Sequence, residues 1–210
     1  MTHDLGSHPA QSEGAAAGVA RTTRVIADLI RLATLLSGVA ALVFFGGQGA
    51  ISFFVLFAVL LLPRWLDVAH PFDMVFCATM LVAAWARQQH WYASVSWVDE
   101  AVHAVTPGAA AVATYLMLAK LELLPDVYEQ IRATRRFSLV LLVTIIGLGL
   151  AAVWEFWEWI EEQFAPKSTL VGYDDTISDM ALGGAGALVL GVLLLVWFRI
   201  RPRGAESSAH

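Results

Sequence analysis

Asp99 and His103 stand four residues apart in "WVDEAVHAVTPG", Glu155 and Glu158 three apart in "VWEFWEWIEE", and Asp175 and Asp179 four apart in "GYDDTISDM". Residues three or four apart on a helix share one face. Each stretch therefore presents a stacked pair of groups that can carry a proton or hold a cation. One imidazole among several carboxylates makes a hard, oxygen-rich ligand set. Such a set suits Mg²⁺, Ca²⁺ or Mn²⁺, and Zn²⁺ with fewer ligands. Asp99, His103, Glu155 and Asp179 are the candidate metal ligands, with Glu158 or Asp175 as a general base beside them.

Burying these acids has a cost. Two ionised carboxylates about 5–6 Å apart repel by roughly 3 kcal/mol at an effective dielectric of 20. Either some are protonated, or a cation sits among them. Each residue also has a plainer reading. Asp174 and Asp175 fit a helix N-terminus, where acids cap the chain and favour the dipole. Thr176 and Ser178 fit capping better than nucleophilic attack. Glu161 and Glu162 fit a solvated helix exit, and His90 beside Trp91 and Tyr92 fits the membrane interface. The whole cluster also fits a structural polar network.

The elements that carry these pairs are membrane spans. Of 210 residues, 58% are hydrophobic and only 15% charged, with a mean hydropathy of +0.66. Several apolar runs approach the ~20 residues a helix needs to cross a bilayer. The chain reads as an all-α, polytopic bundle of about six spans: Ile26–Phe45, Ala50–Leu62 ending at Pro63, Pro71–Gln88, Val98–Lys120, Arg136–Glu161 and Thr176–Phe198. The organisation is a disordered tail over 1–22, a transmembrane domain over 23–200 and a second disordered tail over 201–210. The polar N-terminal stretch has no basic and apolar succession, which predicts no cleavable signal peptide. The single cysteine, Cys77, excludes an intrachain disulfide and a multi-cysteine zinc site. A net charge of −5 gives no sign of nucleic-acid binding.

Basic residues prefer the cytoplasmic side. With six spans, eleven arginines and lysines fall on the side of both termini and two, Arg87 and Lys167, on the other. Both termini are expected in the cytoplasm. Nine of the eighteen acids and six of the eight tryptophans then lie at the outer face. Gly183, Ala187 and Gly191, four apart below Asp179, form a small-residue stripe that lets a helix approach closely. On the inner side, Arg64, Asp67, His70 and Asp73 read as a salt-bridged helix start, and "ELLPDVYEQIRATRR" as a short amphipathic turn.

"WVDEAVHAVTPGAAAVATYLM", "VWEFWEWIEE" and "YDDTISDMALGGAGALVLG" together resemble the YjdF-like inner-membrane proteins of bacteria, and more distantly the VanZ-like family. The shared pattern is an Asp-x-x-x-His helix, a Glu-rich helix, and Asp-[Thr/Ser]-x-x-Asp before a small-residue run. Asp99, His103, Glu155, Glu158, Asp175, Thr176, Asp179 and Gly184 match it, and the resemblance covers roughly residues 70 to 195. "GYDD" departs from the pattern's Gly-Asp and Trp-Asp, and the "APKSTLV" loop differs. The resemblance implies a multi-pass protein of the bacterial cytoplasmic membrane, without an assigned activity. The VanZ-like group is linked with glycopeptide resistance at the envelope.

Three readings of function follow. The first is a metal-dependent site acting on an envelope or lipid-linked substrate, although HExxH, Gly-x-Ser-x-Gly and arginine-rich phosphatase motifs are missing from the sequence. The second is a proton- or ion-coupled transporter. The third is a structural membrane protein whose acids only fix helix packing. The bilayer is the one partner common to all three.

Overall fold

A computed structural model describes residues 9–95, 97–132, 135–164 and 172–200. These residues fold into eight helices: α1 (Pro9–Phe44), α2 (Gly46–Trp65), α3 (His70–Gln88), α4 (Trp91–Ser94), α5 (Val98–Lys120), α6 (Val127–Arg132), α7 (Arg136–Phe164) and α8 (Tyr173–Ile200). Five of them, α1, α2, α5, α7 and α8, are long and apolar enough to cross a membrane. The third expected span, α3, has 19 residues but carries Asp73 and Arg87 and falls outside that set. Large apolar side chains such as Leu36, Val43, Phe137 and Val153 remain exposed around the bundle, as lipid-facing positions do.

Two groups of three helices make up the bundle. In the first, α1 packs on α2 and α3; in the second, α5, α7 and α8 pack on one another; α3 against α5 joins the two. Val112, Tyr115, Leu139, Val143, Ala187 and Leu194 fill the core of the second group. Ala27, Leu56, Leu60 and Phe76 fill the first, where Ala113 of α5 joins them.

Several boundaries differ from those the sequence suggests. α1 begins at Pro9, so the expected tail over 1–22 is helical from that residue on. Its run of alanines (Ala15, Ala16, Ala17, Ala20) is strongly helix-forming. The turn after α1 is Phe45 alone, and Gly46, the first residue of α2, has a φ of +80° that suits glycine. Hence α2 runs to 20 residues and passes through Pro63 instead of stopping before it. Pro63 sits in the last turn, where one lost hydrogen bond is tolerable. Lys167 and the tail over 201–210 lie outside the described residues.

The polar set of the first group is a cross-helix ion-pair network. Arg31, 4% exposed, pairs with Asp73, 2% exposed, at 2.5 Å, and its Nε donates to the Leu60 carbonyl at 2.8 Å. Asp28 accepts from both Arg31 and Arg64 at 3.1 Å, and Arg24 pairs with Asp67. The expected salt-bridged start of α3 is thus met by arginines of α1. This network lies at the start of α3, whereas α4 and the start of α5 follow its other end.

Candidate functional site

At that other end, the starts of α5 and α8 meet the end of α7. A close approach of α5 and α8 sets the geometry. A Cβ on Gly186 would fall 1.6 Å from the Ala104 carbonyl oxygen, and one on Gly108 2.7 Å from the Gly186 backbone. Only glycines allow this contact. Gly183, Ala187 and Gly191 of the expected stripe face α7 instead, against Ala151, Gly147 and Val143, with Pro107 of α5 also beside Gly183. Pro107 has no N–H to offer the carbonyl of His103, its helical partner four residues back.

His103 lies at the centre, 2% exposed. Its Nε2 faces Asp99 Oδ1 at 3.5 Å, and its Nδ1 faces Glu155 Oε1 at 3.6 Å. Both separations exceed a good hydrogen bond. Glu155 and Asp179 are buried, at 5% and 4% exposure, and Asp99 is one-third exposed. One ligand atom each from Asp99, His103 and Asp179 lies within 4.8 Å of the others, and the same holds for His103, Glu155 and Glu158. These two sets share the imidazole. The Glu155 Oε1 is buried without a hydrogen-bond partner among the described residues. The Thr176 hydroxyl stands within hydrogen-bonding reach of the same carboxylate.

Of the six candidate site residues, five are brought together in this way. The sixth, Asp175, is exposed at the lip and belongs to neither set. Its i,i+4 relation to Asp179 gives the same face but one turn further out, in the first turn of α8. Glu161 and Glu162 have no described side chains.

Two aromatic residues that were not among the six candidates belong to the site. Trp154 packs edge-on against His103 with ring centroids 5.6 Å apart, and its Nε1 donates to Glu158 Oε1 at 2.9 Å. The i,i+4 spacing of Trp154 and Glu158 was the available signal. Tyr92, on the short α4 beside the site, donates its hydroxyl to the Ala83 carbonyl at 3.3 Å. Burial pushes its phenol above the ordinary range, and the carboxylates of Glu158 and Asp99 push the same way, against the pull of Arg87.

An all-helical bundle of apolar spans with polar clusters at its ends defines a polytopic integral membrane protein. Within that class, residues 22–200 match the family described as "Predicted membrane protein (DUF2238)", and the chain belongs to it. This is the family to which the YjdF-like motifs point; the match lends nothing to the VanZ-like resemblance. No curated protein and no solved structure matches the chain.

Proposed function

We propose that the end of the bundle formed by α5, α7 and α8 is a divalent-cation site facing the outside of a bacterial cytoplasmic membrane. Asp99, His103 and Asp179 are its ligands, and Glu155 stands behind His103 as the carboxylate that would accept from Nδ1 once the ion draws the site together. The observation that carries this reading is the buried, unpartnered oxygen of Glu155 aimed at the imidazole. A metal-bound histidine commonly donates its second nitrogen to a carboxylate, which fixes the tautomer. Three ligands fall short of the six to eight oxygens of a Ca²⁺ site. One imidazole with two carboxylates suits Mn²⁺ or Zn²⁺. The basic bias of the sequence supports the outward orientation.

Asp99 and Asp175 open the site towards the bilayer surface, so a lipid-linked or envelope substrate is the class it would meet. The ion would polarise a phosphoryl or carbonyl group. Glu158, held by Trp154, would take the proton of the attacking water and return it to the leaving oxygen. Cation-coupled transport is the second reading, favoured by the buried Arg31–Asp73 pair at the opposite end of α3.

The test is thermal unfolding of the detergent-purified protein with Mn²⁺, Zn²⁺, Mg²⁺ or Ca²⁺. An ion at 100 times its Kd stabilises by about 2.7 kcal/mol. Wild type should show that gain with at least one of these ions, and Asp179→Asn should not. No gain with any ion would leave the cluster as a packing network. Cation flux in proteoliposomes separates transport from catalysis.

A further inference from the structure

At the end opposite the cation site, a cleft of about 290 Å³ lies between α3, α5 and α8. Pro71 and Val75 line it from α3, Ala109 from α5, and Leu190, Leu193 and Trp197 from α8. Every lining side chain except the Trp197 indole nitrogen is purely apolar. The cleft follows α8 from Leu190 to Ile200, about 15 Å at 1.5 Å per residue. That length is half the ~30 Å hydrocarbon core of a bilayer, so the cleft spans one leaflet.

The surface at that end is basic. Tyr128 of α6 packs on Phe198 of α8 with ring centroids 5.1 Å apart, which brings α6 and the start of α7 to the same level. Arg132, Arg135, Arg136 and Arg199 are exposed there, as is Lys120. Glu122, Asp126 and Glu129 offset part of this charge. We propose that the cleft seats one acyl chain of an anionic phospholipid, whose headgroup meets these arginines. The one-leaflet length and the apolar lining select a chain, and the charge selects an anionic headgroup. The proposal is independent of the cation site.

Native mass spectrometry with phosphatidylglycerol and phosphatidylcholine of identical chains tests it. Wild type should retain phosphatidylglycerol in preference. Leu193→Trp, which fills the cleft from a half-exposed position, should weaken that retention about tenfold, the equivalent of roughly two buried methylene groups. Arg199→Gln combined with Arg136→Gln should remove the preference and leave phosphatidylcholine bound. Equal retention of the two lipids by wild type would overturn the proposal, as would a dimer that buries the cleft. If Leu193→Trp does not fold, wild type is labelled with phosphatidylglycerol carrying a photoreactive group on its acyl chain. Crosslinks at Val75 and Leu193 support the seat; crosslinks spread evenly around the bundle contradict it.

Discussion

Adding one methyl group at Gly186 should disable the cation site without touching a ligand. A Cβ there would lie 1.6 Å from the Ala104 carbonyl oxygen, where real contacts do not fall below 3.0 Å, so α5 and α8 must part by at least about 1.4 Å. The obstacle is backbone, next to His103, and cannot rotate away. Asp179 lies seven residues up α8, about 10 Å along the axis, and moves with it. Metal ligands tolerate only about ±0.2 Å. Gly186→Ala should therefore lower cation affinity by about 100-fold or more, at or beyond the upper end for a disturbed supporting shell. The overpacking should also cost about 1–3 kcal/mol of stability. Gly149→Ala is the control, because a Cβ there meets nothing within 4 Å. Calorimetric titration of both variants with the ion that stabilises wild type is the assay. A folded Gly186→Ala protein with wild-type affinity would refute the claim that the α5–α8 contact sets the site.

Other consequences can be checked on the same preparations. Asp73→Asn leaves the buried Arg31 with only the part-exposed Asp28 as counter-charge and should cost about 3 kcal/mol in denaturant unfolding, the low end for a broken buried pair, without altering cation binding at the far end. Glu155→Gln should weaken cation affinity about 10–100-fold, since it removes the carboxylate behind His103 and keeps the shape; unchanged affinity would remove Glu155 from the site. Trp154→Phe keeps the ring on His103 but deletes the donor to Glu158, so it should cost about 1.5–3 kcal/mol with ion stoichiometry intact. The raised Tyr92 phenol contributes stability that is present below its unfolded value of about 10 and lost as pH climbs above it. Tyr92→Phe should flatten the alkaline limb of a stability–pH curve, and an unchanged limb would argue against the burial.

The helical spacing of Asp99–His103 and Glu155–Glu158 was sufficient to assign faces, because angular position around a helix follows from sequence separation alone. The limits of α5, Val98 and Lys120, were legible for the same reason: charged residues flank an apolar run. Depth was not legible. Asp175 and Asp179 share a face, but only Asp179 reaches the level of His103, and that depends on how far α8 slides along α5. Partner choice was also hidden. The stripe of Gly183, Ala187 and Gly191 announces a close neighbour without saying which, and it serves α7, while Gly186 alone admits the backbone of α5. The ion pair of Arg31 and Asp73 joins residues 42 apart, a pairing that only the packing of α1 on α3 creates.

Elemental mass spectrometry of the purified protein, loaded with a divalent-cation mixture and then desalted, tests the central claim most directly. The account predicts one ion per chain in wild type, lost in folded Asp99→Asn, His103→Gln and Asp179→Asn alike, and retained in Asp175→Asn. Wild type without bound metal, or an ion retained by folded Asp179→Asn, would contradict it.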